Sequence, residues 1–87
     1  MGMVGADIAA LRGFVADLGR RRREIRETTN KLSAVVRDLP WVGSDHDAFV
    51  RDWNTIHHPG LIRIIDDLAD ASTKASRHAD QQERASH

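Results

Sequence analysis

The feature that most restricts what this chain can fold into is a run of positions spaced alternately by four and three residues. Over 4–39 it reads Val4, Ile8, Leu11, Val15, Leu18, Arg22, Ile25, Thr29, Leu32, Val36 and Leu39, and only Arg22 and Thr29 are polar. With 3.6 residues per turn, such steps return to one face of an α-helix. They write a heptad seam that has to lie against another helix. β-Branched residues fill one half of the seam (Ile8, Val15, Val36) and leucine most of the other (Leu11, Leu18, Leu32, Leu39). Gly13 and Gly19 each cost about 1 kcal/mol against alanine in a helix interior, which packing along the seam has to offset. The spacing predicts one long helix over about 5–39.

Pro40 closes that helix, because it has no N–H to donate and forces the residue before it out of the α region. Gly43 can take the positive φ of a reversal. Ser44 reads as an N-cap, with Asp47 three residues on as in a capping box and Asp45 in the favourable first turn. The turn is therefore placed at 40–44 and a second helix over about 45–78. Its stripe begins Phe49, Trp53, Ile56, is interrupted by His57-His58-Pro59-Gly60, and resumes as Leu61, Ile64, Leu68, Ala71 and Ala75. That phase shift is a stutter, and Pro59 implies a kinked continuation there. Beyond Ala75 the seam positions are His78, Gln82 and Ala85, too polar to bury much surface, so a mobile tail is expected over 79–87.

Two helices of roughly 35 residues, each about 50 Å long, joined by a short turn make an antiparallel hairpin, an all-α single domain over 1–87. Its expected core is Leu11, Leu18, Ile25, Leu32, Phe49, Trp53, Ile64 and Leu68. A hairpin alone encloses nothing. Because Phe14, Val35, Ile62 and Ile65 widen the apolar stripes beyond one seam, a second hairpin is expected to complete a four-helix bundle. At 87 residues the chain is near the lower limit for a lone core, which points the same way.

Composition removes several functions. The 13 basic and 13 acidic side chains cancel, so no global field draws the chain to nucleic acid or an anionic membrane. Cysteine is absent, which excludes disulfides, thiol chemistry and Cys-type zinc sites. No apolar run approaches a membrane span, and the first residues lack the layout of a Sec signal peptide. His46, His57 and His58 have no metal-ligand spacing, so no metal or other cofactor is expected. Asp66, Asp67 and Asp70 read as a wet helix face. No acid and base are brought together, so no enzyme is expected.

Other residues carry two readings. Trp41 in the turn is either a recognition element or a plug for the apolar end of the hairpin. Phe49 and Trp53, four apart, share a face and read as core. Arg20, Arg21, Arg22 and Arg23, with Arg26, suggest a nucleic-acid patch, but four consecutive residues spread around a helix and no aromatic is interleaved for stacking. A solvated face is the simpler reading. Arg22 and Thr29 sit in the seam, where a polar residue often fixes register or partner choice, and are the candidates for dimer specificity. Arg22 can alternatively snorkel to water.

A helix, a Trp-x-Gly turn at Trp41 and Gly43, and a second helix bearing Phe49 and Trp53 together resemble the WXG family of early-secreted-antigen-like proteins. The tail positions Ala79, Gln82, Ala85 and Ser86 resemble actinobacterial members, and the likeness covers essentially the whole chain. The resemblance implies a non-enzymatic protein exported by, or acting as adaptor for, a type VII (ESX-like) secretion system. It implies a dimer with itself or with a second WXG-family protein, recognised by an FtsK-like secretion ATPase, cytoplasmic before export and secreted by a Sec-independent route. No small-molecule substrate and no nucleic acid are expected. The family's export signal is a C-terminal Tyr-x-x-x-Asp/Glu, and this chain has no tyrosine. Either a partner supplies the signal or a variant segment over 79–83, with Ala79, Gln82 and Glu83, serves instead. The competing reading is a cytoplasmic coiled-coil adaptor or regulator whose basic segment touches nucleic acid.

Overall fold

A computed structural model describes residues 5–85, and these are helical apart from one turn. Val4, the first seam position, and Ser86 lie outside the described residues. Helix α1 spans Gly5–Asp38, α2 spans Ser44–Asp52, a single π-helical turn covers Trp53–His57, and α3 runs His58–Ala85. The second arm is thus one continuous rod made of α2, the π-turn and α3, and α3 packs against α1. The molecule measures 64 × 17 × 11 Å. Its thinnest dimension is the width of one helix, so the two arms form a single layer. The radius of gyration, 19.3 Å, far exceeds the ~12 Å of a compact chain of this length.

One line of contact holds the layer together. Ile8, Thr29 and Val36 of α1 and Ile65 and Ala79 of α3 are buried. Within each helix they are separated by multiples of seven, so each helix contributes one column of its heptad pattern. Ile65 is completely buried, which stabilises the pair by about 1.5 to 3 kcal/mol. Thr29 is 1% exposed, and its hydroxyl donates to the Ile25 carbonyl at 2.7 Å. A polar residue in the seam is tolerated because its hydrogen bond is met within its own helix.

The second arm's phase differs from the expected stripe. Ile65, not Ile64, faces α1, and Ile64 is 49% exposed. Leu32 and Phe49, also expected in the core, are 43% and 39% exposed. Leu11, Leu18, Ile25, Trp53 and Leu68 are half-buried at the margins of the seam. The reason is geometric. A wide apolar stripe needs partners on both sides of the contact line, and a two-helix layer fills only the line itself.

Pro59 is accommodated by the π-turn. A regular α-helix would leave the Thr55 carbonyl without its donor and against the proline ring. Instead the His58 N–H reaches back five residues to the Trp53 carbonyl, and the Thr55 hydroxyl donates to the Arg51 carbonyl at 2.7 Å. One extra residue is absorbed just ahead of the proline, and the rod continues. Farther on, α3 passes through the expected tail to Ala85. Ala79 closes the seam there, and Arg12 donates to Asp80 at 3.0 Å and to Glu83. The Glu83 and Asp80 hydrogen bonds raise the Arg12 guanidinium above its already high ordinary value.

At the reversal Gly43 has φ 120° and ψ 179°, a region open essentially to glycine alone. Gly43 itself is the N-cap. Its carbonyl accepts from the Asp47 N–H at 3.0 Å, and Ser44 is the first helical residue rather than the cap. With the glycine ψ already set, the helix begins one residue early and no side-chain oxygen caps it, while Asp45 and Asp47 occupy the favourable first turn. A Cβ on Gly43 would meet nothing within 4 Å, so the penalty for a side chain is backbone strain and not a clash. Gly43→Ala is expected to lower stability by about 1 to 3 kcal/mol in urea unfolding followed by circular dichroism. An unchanged midpoint would show that the turn does not need this conformation.

Candidate interaction surface

The hairpin tip gathers Trp41, His46 and Phe49. Trp41 lies edge-on to His46, ring centroids 5.6 Å apart at 74°, and tilted against Phe49 at 6.1 Å. These contacts hold the indole in place while leaving it 42% exposed, so Trp41 both covers the end of the hairpin and presents a face to solvent. Val42 beside it is 86% exposed. Leu39 and Val35 extend the uncovered apolar surface back along α1.

That surface continues down one flank. Counted around α1 from the line of Thr29 and Val36, the exposed Phe14, Leu32 and Val35 all fall to the same side, and the exposed Leu39 follows just past the helix end. Ile25, Thr28 and Leu32 border a depression with Leu61 of α3, and Leu61 borders another with Ile56, Gly60 and Ile64. Leu61 therefore joins the two helices' exposed apolar residues into one flank. Single exposed apolar side chains are ordinary, but a continuous strip along a layer one helix thick is the mark of a surface that another element covers.

The opposite flank differs in character. Ser33, Val36 and Arg37 of α1, His46 and Val50 of α2, Trp53 and Asn54 of the π-turn and His58 surround a groove of about 430 Å³. The π-turn brings Trp53 to 6.0 Å from the His58 ring, so it shapes this groove as well as accommodating Pro59.

Two arginines of the basic run on α1 are paired locally. Arg20 pairs with Asp17, and Arg21 contacts Asp17 at 3.8 Å and Glu24 at 3.1 Å. Glu24 and Asp17 raise the Arg21 guanidinium above its ordinary value, with the Glu24 hydrogen bond the larger cause. Arg22 is half-buried along the seam, and Thr29 is inside it, so Thr29 acts within the hairpin and is not available to a partner. Ala79 and Glu83 of the 79–83 segment are likewise engaged with α1, and Gln82 is half-buried. His57 borders the apolar flank, whereas His46 and His58 line the groove. Among the described residues no group of three or more His, Cys, Asp or Glu could hold a metal ion, and no helix is long and apolar enough to cross a membrane.

The groove residues Ser33, Arg37 and Asn54 escaped the sequence reading because heptad counting follows apolar positions. The only linear signal is that Ser33 and Arg37, four apart, share a helical face. The grip of Arg12 on α3 depends on which residues the two arms place side by side, which no local pattern encodes.

No family model, curated protein or solved structure matches the chain.

Neighbouring isoleucines separate the two surfaces experimentally. Ile65→Ala removes a fully buried side chain, for which about 2 to 5 kcal/mol is expected, enough to melt much of a hairpin this small in thermal circular dichroism. Ile64→Ala at low protein concentration is expected to stay within about 0.5 kcal/mol of the parent chain. Equal losses at the two positions would contradict the observed phase of α3.

Proposed function

We propose that this chain is a non-enzymatic WXG-family hairpin, exported by a type VII (ESX-like) secretion system or acting as an adaptor for it. The observation that carries the reading is the uncovered apolar flank on a single helical layer, together with Trp41 held half-exposed at a Trp-x-Gly tip. A second hairpin, either another copy or a different WXG-family protein, covers the flank and builds a four-helix bundle. The tip then stays at the end of the bundle, where Trp41 and Val42 offer a rigid apolar contact to the FtsK-like secretion ATPase. The side chains tied up in local ion pairs, Arg20 and Arg21, support this reading over nucleic-acid binding.

Two measurements test it. In light scattering after size exclusion, the chain alone or with a partner encoded beside it is expected to run as a dimer, and Leu32→Glu with Ile64→Glu to return it to a folded monomer. In culture, the protein is expected in the supernatant only when the type VII ATPase is intact. A monomer under both conditions would remove the bundle, and export without the ATPase would remove the secretion role.

A further inference from the structure

The groove on the flank away from the apolar strip has a lining that selects for charge. Its polar members are Ser33, Arg37, His46, Asn54 and His58, and no carboxylate is among them. Arginine only donates hydrogen bonds, while hydroxyl, amide and imidazole groups can all do so. The nearest acids are already used. Asp38 accepts from the Arg37 Nε at 3.2 Å and Asp47 contacts the His46 Nδ1 at 3.3 Å, which leaves the two Nη groups of Arg37 and the far nitrogen of His46 without a hydrogen bond among the described residues. The Ser33 Oγ is buried and has no hydrogen-bond partner, so Ser33 shapes the groove wall without presenting its hydroxyl to it. Val36, Val50 and the Trp53 ring form the apolar part of the lining. About 430 Å³ falls within the range of small-ligand sites.

We infer that this groove binds a carboxylate carried on an apolar body about the size of an aromatic ring. The carboxylate lies against the Arg37 guanidinium, where charge-assisted and two-pronged hydrogen bonding is strongest, with Asn54 as a further donor. The apolar body rests on Val36, Val50 and Trp53. Ser33 and Arg37 lie on the opposite side of the seam line from Leu32 and Val35, so the site stays open when the apolar flank is covered, and it stands or falls independently of the secretion role.

The test is a titration of the full chain with 3-phenylpropionate, followed by the Trp53 indole and the backbone amides of Ser33 and His58 in two-dimensional NMR. Trp41→Phe assigns the two indoles. Saturable shifts confined to the groove are expected, with the neutral isostere 3-phenylpropanamide bound about tenfold or more weakly, the loss that a missing charge-assisted hydrogen bond produces. Arg37→Gln is expected to weaken the acid to the same degree while leaving the thermal melt unchanged, because Arg37 is exposed and makes only the contact to Asp38. A short peptide ending in phenylalanine, with a free or an amidated terminus, distinguishes the sources. Binding of the free-ended peptide assigns the carboxylate to a chain end, and binding of the small acid alone assigns it to a free metabolite. Equal binding of acid and amide, undiminished binding by Arg37→Gln, or shifts centred on Leu32 and Leu61 would each overturn the site.

Discussion

Two helices touch along one line, and the rest of this hairpin depends on what occupies that line. Ile8, Thr29 and Val36 meet Ile65 and Ala79 there. Each of the remaining apolar positions is assigned by its angle from the line, to a half-buried margin or to solvent. The burial available to a single layer is small, so the arms also rely on features at their ends. Arg12 clasps Asp80 and Glu83 at one end, and the Trp41, His46 and Phe49 cluster closes the other. The stability of the isolated hairpin is therefore spread thinly along a long contact.

Polar residues in the seam have different consequences by depth. Thr29 carries its own acceptor, the Ile25 carbonyl, and can be fully enclosed. Arg22 has a long apolar stem and remains partly exposed, as a charge that keeps its head in water must. Placing a short, self-satisfied hydroxyl at Thr29 and a partly exposed cation one heptad before it lets the helices approach closely at Thr29 without stranding a charge.

The architecture was readable from the chain because helix periodicity, the proline stop and the glycine reversal act locally. Seam spacing placed α1 almost to the residue, and Pro40 and Gly43 placed the turn. The phase of α3 was not readable in the same way. Ile62, Ile64, Ile65 and Leu68 offer several apolar stripes, and which one faces α1 depends on how many residues the helix absorbs at 53–57. A π-turn has no composition of its own, and Pro59 announces a disturbance without saying which kind. The helix over 79–85 was hard to read for a related reason, since a polar segment with one small residue, Ala79, at the contact line packs where its average hydropathy suggests it cannot. The groove lay beyond reach because its lining comes from all three helices and the π-turn.

The same π-turn fixes the azimuth of the tip. Because α2 and α3 form one rod, the direction in which Phe49 projects relative to Leu61 and Ile64 is set by the residue count between them. Each residue added to or removed from an α-helix rotates the upstream part of the rod by roughly 100° against the downstream part. The extra residue held at Trp53–His57 thus works as an angular offset. By that count Phe49 falls within roughly 40° of both Leu61 and Ile64, where an uninterrupted α-helix would turn it away from Leu61 by roughly 120°, so the offset aligns the apolar side chains of the tip with those of the shaft.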